Sequence, residues 1–334
     1  MQARRSSPHR GRSTWQTARR LAGTRGACFI DAERWRKEAF VTAAIPEWNG
    51  AVERRKTKPR TVENVILPLD GQNFSQSAIP IARELARLHG ATLHVVYVGE
   101  QAAAAQDTLK WLGLKSSETR GVVMDHRKGN PAERVIHSAR DLPRALIVMC
   151  THTGQQMNGE RFGAVAESIL LTKPERIVLV APEPDHPAWK LRSILLAHDG
   201  TPACHPAAGP AAELAHLAGA QIIALHVATR RNPRGEEPGS LSAPRYVDQP
   251  QHEWPAWADE FMSRMLAMGA APSSMHFDLV VTGGQPGSEV AQVARERNAD
   301  LVVMGWHGHW DHDPSATRVV IRTSGCPVFL VYCE

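Results

Sequence analysis

Apolar residues along this chain follow two patterns that take turns. Short unbroken runs, such as "VILPL" (65–69), "ALIVMC" (145–150), "SILLA" (193–197) and "DLVVMG" (300–305), are bounded by turn residues. Runs of this length read as strands buried on both faces. Between them the apolar residues fall at helical spacing, as at Ile79, Ala82, Leu85, Ala86 and Leu88. That i, i+3, i+4 spacing puts one apolar stripe on each helix. Alternating strands and helices with near-continuous apolar strands predict a parallel sheet covered by helices on both faces.

The pattern occurs twice. "VENVILPLDGQNFSQSAIPIARELARLHGATLHVVYV" from Val62 matches "LRSILLAHDGTPACHPAAGPAAELAHLAGAQIIALHVA" from Leu191. Each first run ends at Asp-Gly, namely Asp70-Gly71 and Asp199-Gly200. "GNPAERVIHSARDLPRALIVMCTH" from Gly129 likewise matches "GQPGSEVAQVARERNADLVVMGWH" from Gly284, at a constant offset of 155 residues. Each unit therefore reads β-α-β-α-β-α-β-α-β. The expected organisation is a unit over 61–183, a proline-rich linker in "APEPDHPAW" (181–189), and a second unit over 190–334. A polar insertion, 230–255, interrupts the second unit after its second strand, and its composition favours mobility.

Charge adds a third segment. Residues 1–60 hold fifteen Lys and Arg against five Asp and Glu, whereas the whole chain carries only +5, so the body is mildly acidic. Such an arm could be a transit peptide, a nucleic-acid-binding arm, a disordered extension or the product of an upstream start codon. Composition alone names no partner, and nucleic acid is not expected. No apolar run approaches the ~20 residues of a membrane helix, so no membrane partner is expected. The five cysteines, Cys28, Cys150, Cys204, Cys326 and Cys333, form no Cys-x-x-Cys pair and suit a reducing cytoplasm.

Candidate chemistry concentrates in the second unit. In an open parallel sheet, ligands bind beyond the carboxyl ends of the strands, where strand order switches. Asp199 ends one strand there, Gly305-x-x-Gly308 follows another, and Ser315 precedes a helical run. Bare glycine backbone and a helix N-terminus can hold phosphate, and an aspartate can accept hydrogen bonds from a nucleoside. A βα turn with Ser315 as an ordinary N-cap would look the same. "MGWHGHWDHD" (304–313) also gathers His307, His309, His312, Asp311 and Asp313, which invites a metal reading. No helical ligand pair or Cys-x-x-Cys supports it. Nor does any nucleophile elbow point to catalysis.

These residues resemble the universal stress protein family. The segments that carry the resemblance are "VILPLDGQNFSQSA", "GNPAERVIHSA", "GQPGSEVAQVARERNADLVVMGWHG" and "GCPVFLVY", in the same order in two copies from Val62 to the end. The resemblance implies two tandem, doubly wound, Rossmann-like open sheets of five parallel strands, order 3-2-1-4-5. It implies a pseudo-dimer in which "RIVLVAP" meets "PVFLVYC", a cytoplasmic stress-response regulator rather than an enzyme, and a further homo-oligomer or regulatory protein partner.

Many family members bind ATP through Gly-x-x-Gly, nine residues, then Gly-Ser or Gly-Thr, with an aspartate reading the nucleoside; others lack the motif and do not. By this resemblance Asp199, Val227, Gly305, His307, Gly308 and Ser315 would bind ATP, with Mg accompanying it. Asp70 and Gly163 would mark a degenerate counterpart.

Both copies depart from the motif. In the first, Cys150 and Thr153 replace the leading glycines and Ala164 replaces the hydroxyl residue. In the second, only five residues separate Gly308 from Pro314-Ser315. A weak metal-assisted ATPase and a protein-interaction module without nucleotide remain as alternatives.

Overall fold

The computed structural model describes residues 62–72, 74–100, 104–151, 162–182, 188–228, 260–261, 263, 277–308 and 315–333. The basic arm, most of the linker and the insertion lie outside the described residues, as do Trp257, Met265, Met268 and His309–Pro314.

The first half runs β1 (Asn64–Leu69), α1 (Ile79–His89), β2 (Thr92–Val98), α2 (Ala105–Trp111), β3 (Val122–Arg127), α3 (Pro131–Asp141), β4 (Ala145–Cys150), α4 (Ala164–Leu171) and β5 (Arg176–Val180). The second half follows with β6 (Ser193–Ala197), α5 (Ala208–Ala218), β7 (Gln221–Ala228), β8 (Phe277–Gly283), α6 (Pro286–Glu296), β9 (Leu301–Trp306), α7 (Ala316–Thr323) and β10 (Val328–Tyr332). The expected α/β alternation is present, and each half has the order 3-2-1-4-5.

Local chemistry sets the helix ends. Pro131 and Pro286 open α3 and α6, where the missing N–H costs no helical bond. The Asn130 side chain caps α3 by accepting from the Glu133 N–H at 3.2 Å. In both halves a left-handed glycine, Gly90 or Gly219, stops the first helix.

The two five-stranded sheets meet along their last strands, where "RIVLVAP" was expected to meet "PVFLVYC", and form one sheet of ten strands, β3-β2-β1-β4-β5-β10-β9-β6-β7-β8. The join is antiparallel, with Val328 opposite Leu179 and Leu330 opposite Ile177. An open sheet would leave the backbone of "RIVLV" and "VFLVY" unpaired along two apolar edges. Pairing them satisfies those backbone groups and buries both strands.

Helices cover both faces, so the inner strands are largely apolar, whereas the edge strand β3 carries Asp125, His126 and Arg127. On one face Leu67, Leu85, Leu112, Leu196, Leu214 and Phe329 belong to a single buried cluster that spans both halves. On the other, Ile66, Ile169, Val290, Val320 and Leu330 do the same. On the first face α1 meets α5, where His89 Nδ1 lies 3.8 Å from Glu213 Oε1. No helix among the described residues is long and apolar enough to cross a membrane.

Candidate functional site

In the second half β6 is flanked by β7 on one side and β9 on the other, which makes β6/β9 the switch point. The pairing of Ala197 with Met304 brings Asp199 and Gly305 to the same carboxyl edge. Asp199 begins a tight turn: its Oδ1 accepts from the Thr201 N–H at 2.8 Å and from the Thr201 hydroxyl at 2.7 Å. Burial of the carboxyl pushes its pKa up. The Thr201 hydroxyl and N–H, the Cys204 thiol and His198 outweigh that and hold it below the usual carboxylate range. An anionic acceptor therefore sits at the lip of the sheet.

The turn after Asp199 packs on the end of β9. A Cβ built on Gly305 would lie 2.9 Å from Cys333 Sγ and 3.3 Å from Cys204 Cα, so only glycine fits without movement. His307 Nδ1 lies 3.2 Å from the Cys333 carbonyl, which draws the start of the Gly-x-x-Gly turn toward the end of β10. Gly308 is left-handed at φ 69°, as a non-glycine residue rarely is. Ser315 caps α7, its Oγ accepting from the Arg318 N–H at 3.2 Å. Val227 ends β7 beside the same edge, half-buried. The predicted residues of the second half thus lie at the carboxyl ends of β6, β7 and β9 and at the N-terminus of α7.

Under this edge lies a group that the sequence reading passed over. His198 is buried, and its Nδ1 accepts from the Gly200 N–H at 2.9 Å. Burial lowers its pKa to about 4, so at neutral pH the single ring proton sits on Nε2, which has no hydrogen-bond partner. His226 donates from Nδ1 to the His198 carbonyl at 3.1 Å. Phe261 meets both rings edge-on, each at 5.5 Å, and His205 stacks on His198 at 5.2 Å. The signal was the "LHV" ending of the second apolar run with "AHDG" at the end of the first. Phe261 itself is buried.

The first half is built differently at the same edge. Asp70 makes the matching turn, Oδ1 accepting from the Gln72 N–H at 2.9 Å. The space above Gly71 is filled, however: a Cβ there would overlap the Trp111 indole. Trp111 packs edge-on against Tyr97, which stacks on His126, each pair at 5.4 Å. Gly163 is the N-cap of α4 and donates its N–H to the Thr151 carbonyl at 2.9 Å. Cys150 is buried at the end of β4, away from the exposed setting that a reactive thiol needs. His152 and Thr153 lie outside the described residues.

Among the described residues no group of three or more His, Cys, Asp or Glu is placed to hold a metal ion. A groove of about 250 Å³ lined by Arg144, Ala145, Glu175 and Arg176 lies at the amino ends of β4 and β5, and it brings together none of the predicted residues.

A ten-stranded, doubly wound α/β sheet with a switch point in each half defines a tandem Rossmann-like fold. The family model described as "Universal stress protein family" matches residues 190–332, which form a universal stress protein domain. No curated protein matches the chain. Among solved structures, a universal stress protein from Archaeoglobus fulgidus DSM 4304 is 16% identical with TM-score 0.57, covering 82% of this chain and 99% of that one. A functionally unknown protein, PA1789 from Pseudomonas aeruginosa PAO1, is 13% identical with TM-score 0.58, covering 82% and 94%. A universal stress protein in complex with cAMP is 21% identical with TM-score 0.33, covering 43% and 98%. At these identities the first two likenesses show the fold alone.

Proposed function

We propose that this chain is a non-catalytic stress-response regulator that binds one adenine nucleotide, at the switch point of its second half. The observation that carries this reading is the convergence of Asp199, held anionic, with the Gly305–Gly308 turn at the carboxyl ends of β6 and β9. The carboxylate suits a ribose or base donor, and the glycine turn suits a phosphate. Asp199, Val227, Gly305, His307, Gly308 and Ser315 would hold ATP, with Mg accompanying it on the phosphates. In the first half Asp70 and Gly163 are positioned alike, but the Trp111 indole takes the space above Gly71, which supports a single functional site. The continuous sheet supports reading the two halves as a built-in pseudo-dimer. The lack of any Cys-x-x-Cys pair suits a reducing cytoplasm.

Calorimetric titration of Mg·ATP into the full chain tests the assignment. Asp199→Ala should abolish the binding heat and Asp70→Ala should leave it unchanged. Loss on Asp70→Ala with retention on Asp199→Ala would place the site in the first half and overturn the proposal.

A further inference from the structure

The Gly-x-x-Gly turn of the second half is touched by the first half. Lys173 lies just past α4 with φ 53°, a left-handed conformation uncommon for a residue with a side chain. Its N–H closes α4 by donating to the Leu170 carbonyl at 2.9 Å. From there the side chain crosses the seam between the halves and lies on Gly308. A Cβ at Gly308 would come within 2.6 to 2.8 Å of the Lys173 Cγ, Cδ and Cε atoms. Gly308 is therefore both the left-handed residue of the turn and the one position whose missing side chain admits the lysine stem.

The ammonium ends 5.8 Å from the centre of the Tyr332 ring. Among the described residues no carboxylate pairs with it. A cation–π contact of this kind is weak at an exposed site, whereas holding a lysine side chain in one place is costly in entropy. The seam is fastened nearby as well: Arg318 on α7 reaches Glu167 on α4 at 3.5 Å. The helix that ends at Lys173 is thereby tied to the helix that Ser315 caps.

We infer that Lys173 is an anion-positioning residue supplied by the first half to the second half's site, where its ammonium binds the phosphate groups of the nucleotide. This rests on the nucleotide reading given above. It gives the first half a role in binding that does not require a nucleotide of its own. The device runs one way. At the 151-residue offset that relates the two final strands, the counterpart of Lys173 is Ser324, which carries no charge.

The test compares the full chain with Lys173→Gln and Lys173→Arg, titrated with Mg·ATP and, separately, with adenosine. Circular dichroism melting confirms that each variant is folded. Lys173→Gln should weaken ATP binding about tenfold, the equivalent of one charge-assisted contact. Adenosine binding should not change, and Lys173→Arg should restore ATP affinity to within about threefold. Equal ATP affinity in Lys173→Gln, or tighter binding from removal of a plug, overturns the inference and leaves the nucleotide reading intact. An unaltered chain that binds neither ATP nor adenosine overturns both.

Discussion

Gly305 and Cys333 are packed so closely that a methyl group on the glycine would lie 2.9 Å from the cysteine sulfur. This contact locks the end of β9 to the residue that follows β10. Gly305→Ala should therefore cost about 1–3 kcal/mol in urea denaturation, as overpacking does. Adding Cys333→Ala should recover part of that loss by making room. A Gly305→Ala variant as stable as the unaltered protein would show that this packing is looser than described.

Acid should weaken the fold well above the carboxylate range. Burial holds His198 near a pKa of about 4, and burial followed by the Arg176 charge does the same for His89. Both lie below the ordinary unfolded value, so the unfolded chain takes up the extra protons. The stability they allow is complete above about pH 6.5 and is lost as pH falls toward about 4. The loss approaches about 1.4 kcal/mol per pH unit for each histidine, hence about 2 kcal/mol each at about pH 5. Glu213, raised by burial, acts in the opposite direction and offsets part of this. Urea midpoints at about pH 7 and about pH 5 measure the loss, and His198→Phe should shrink it. Equal midpoints at both pH values would contradict the burial of these rings.

The shared sheet predicts shared unfolding. Leu330 is fully buried and pairs with Ile177 across the join and with Met304 within its own half. Leu330→Ala should cost about 2–5 kcal/mol. It should lower the midpoint of a single transition seen by circular dichroism and by tryptophan fluorescence alike. Two separated transitions would mean that the halves fold independently.

Thiol chemistry should be quiet in the native state. Burial raises Cys333 to about 11, helped by the charge of Asp199, and burial followed by Asp199 raises Cys204 further. Neutral-pH alkylation should leave both unmodified in the native protein and reach both in urea, as peptide mapping would show. Prompt native labelling of Cys204 would contradict its burial.

The fold was legible because it repeats. Two copies of "Asp-Gly after an apolar run" placed Asp70 and Asp199 at equivalent strand ends. The matching "ALIVMC" and "DLVVMG" runs placed Cys150 and Gly305 likewise. The join of "RIVLVAP" to "PVFLVYC" was legible only through the family resemblance, since apolar strands by themselves carry no mark of which edge meets which. The contacts that distinguish the two sites were not legible at all. Trp111 covers Gly71 from α2, and Lys173 reaches Gly308 across the seam. Neither contact has a periodicity, because each depends on how distant elements dock. His198 and His226 are an intermediate case: their positions before Asp-Gly and in "LHV" were visible, but their burial followed only from Phe261 packing beneath them.

Native mass spectrometry of the full chain with Mg·ATP tests the central claim most directly, because it counts nucleotides per chain. The account predicts one bound nucleotide for the unaltered protein, one for Asp70→Ala, and none for Gly308→Val, whose side chain would collide with Lys173 and distort the left-handed turn. An unliganded mass at saturating ATP, or two nucleotides per chain, would contradict it.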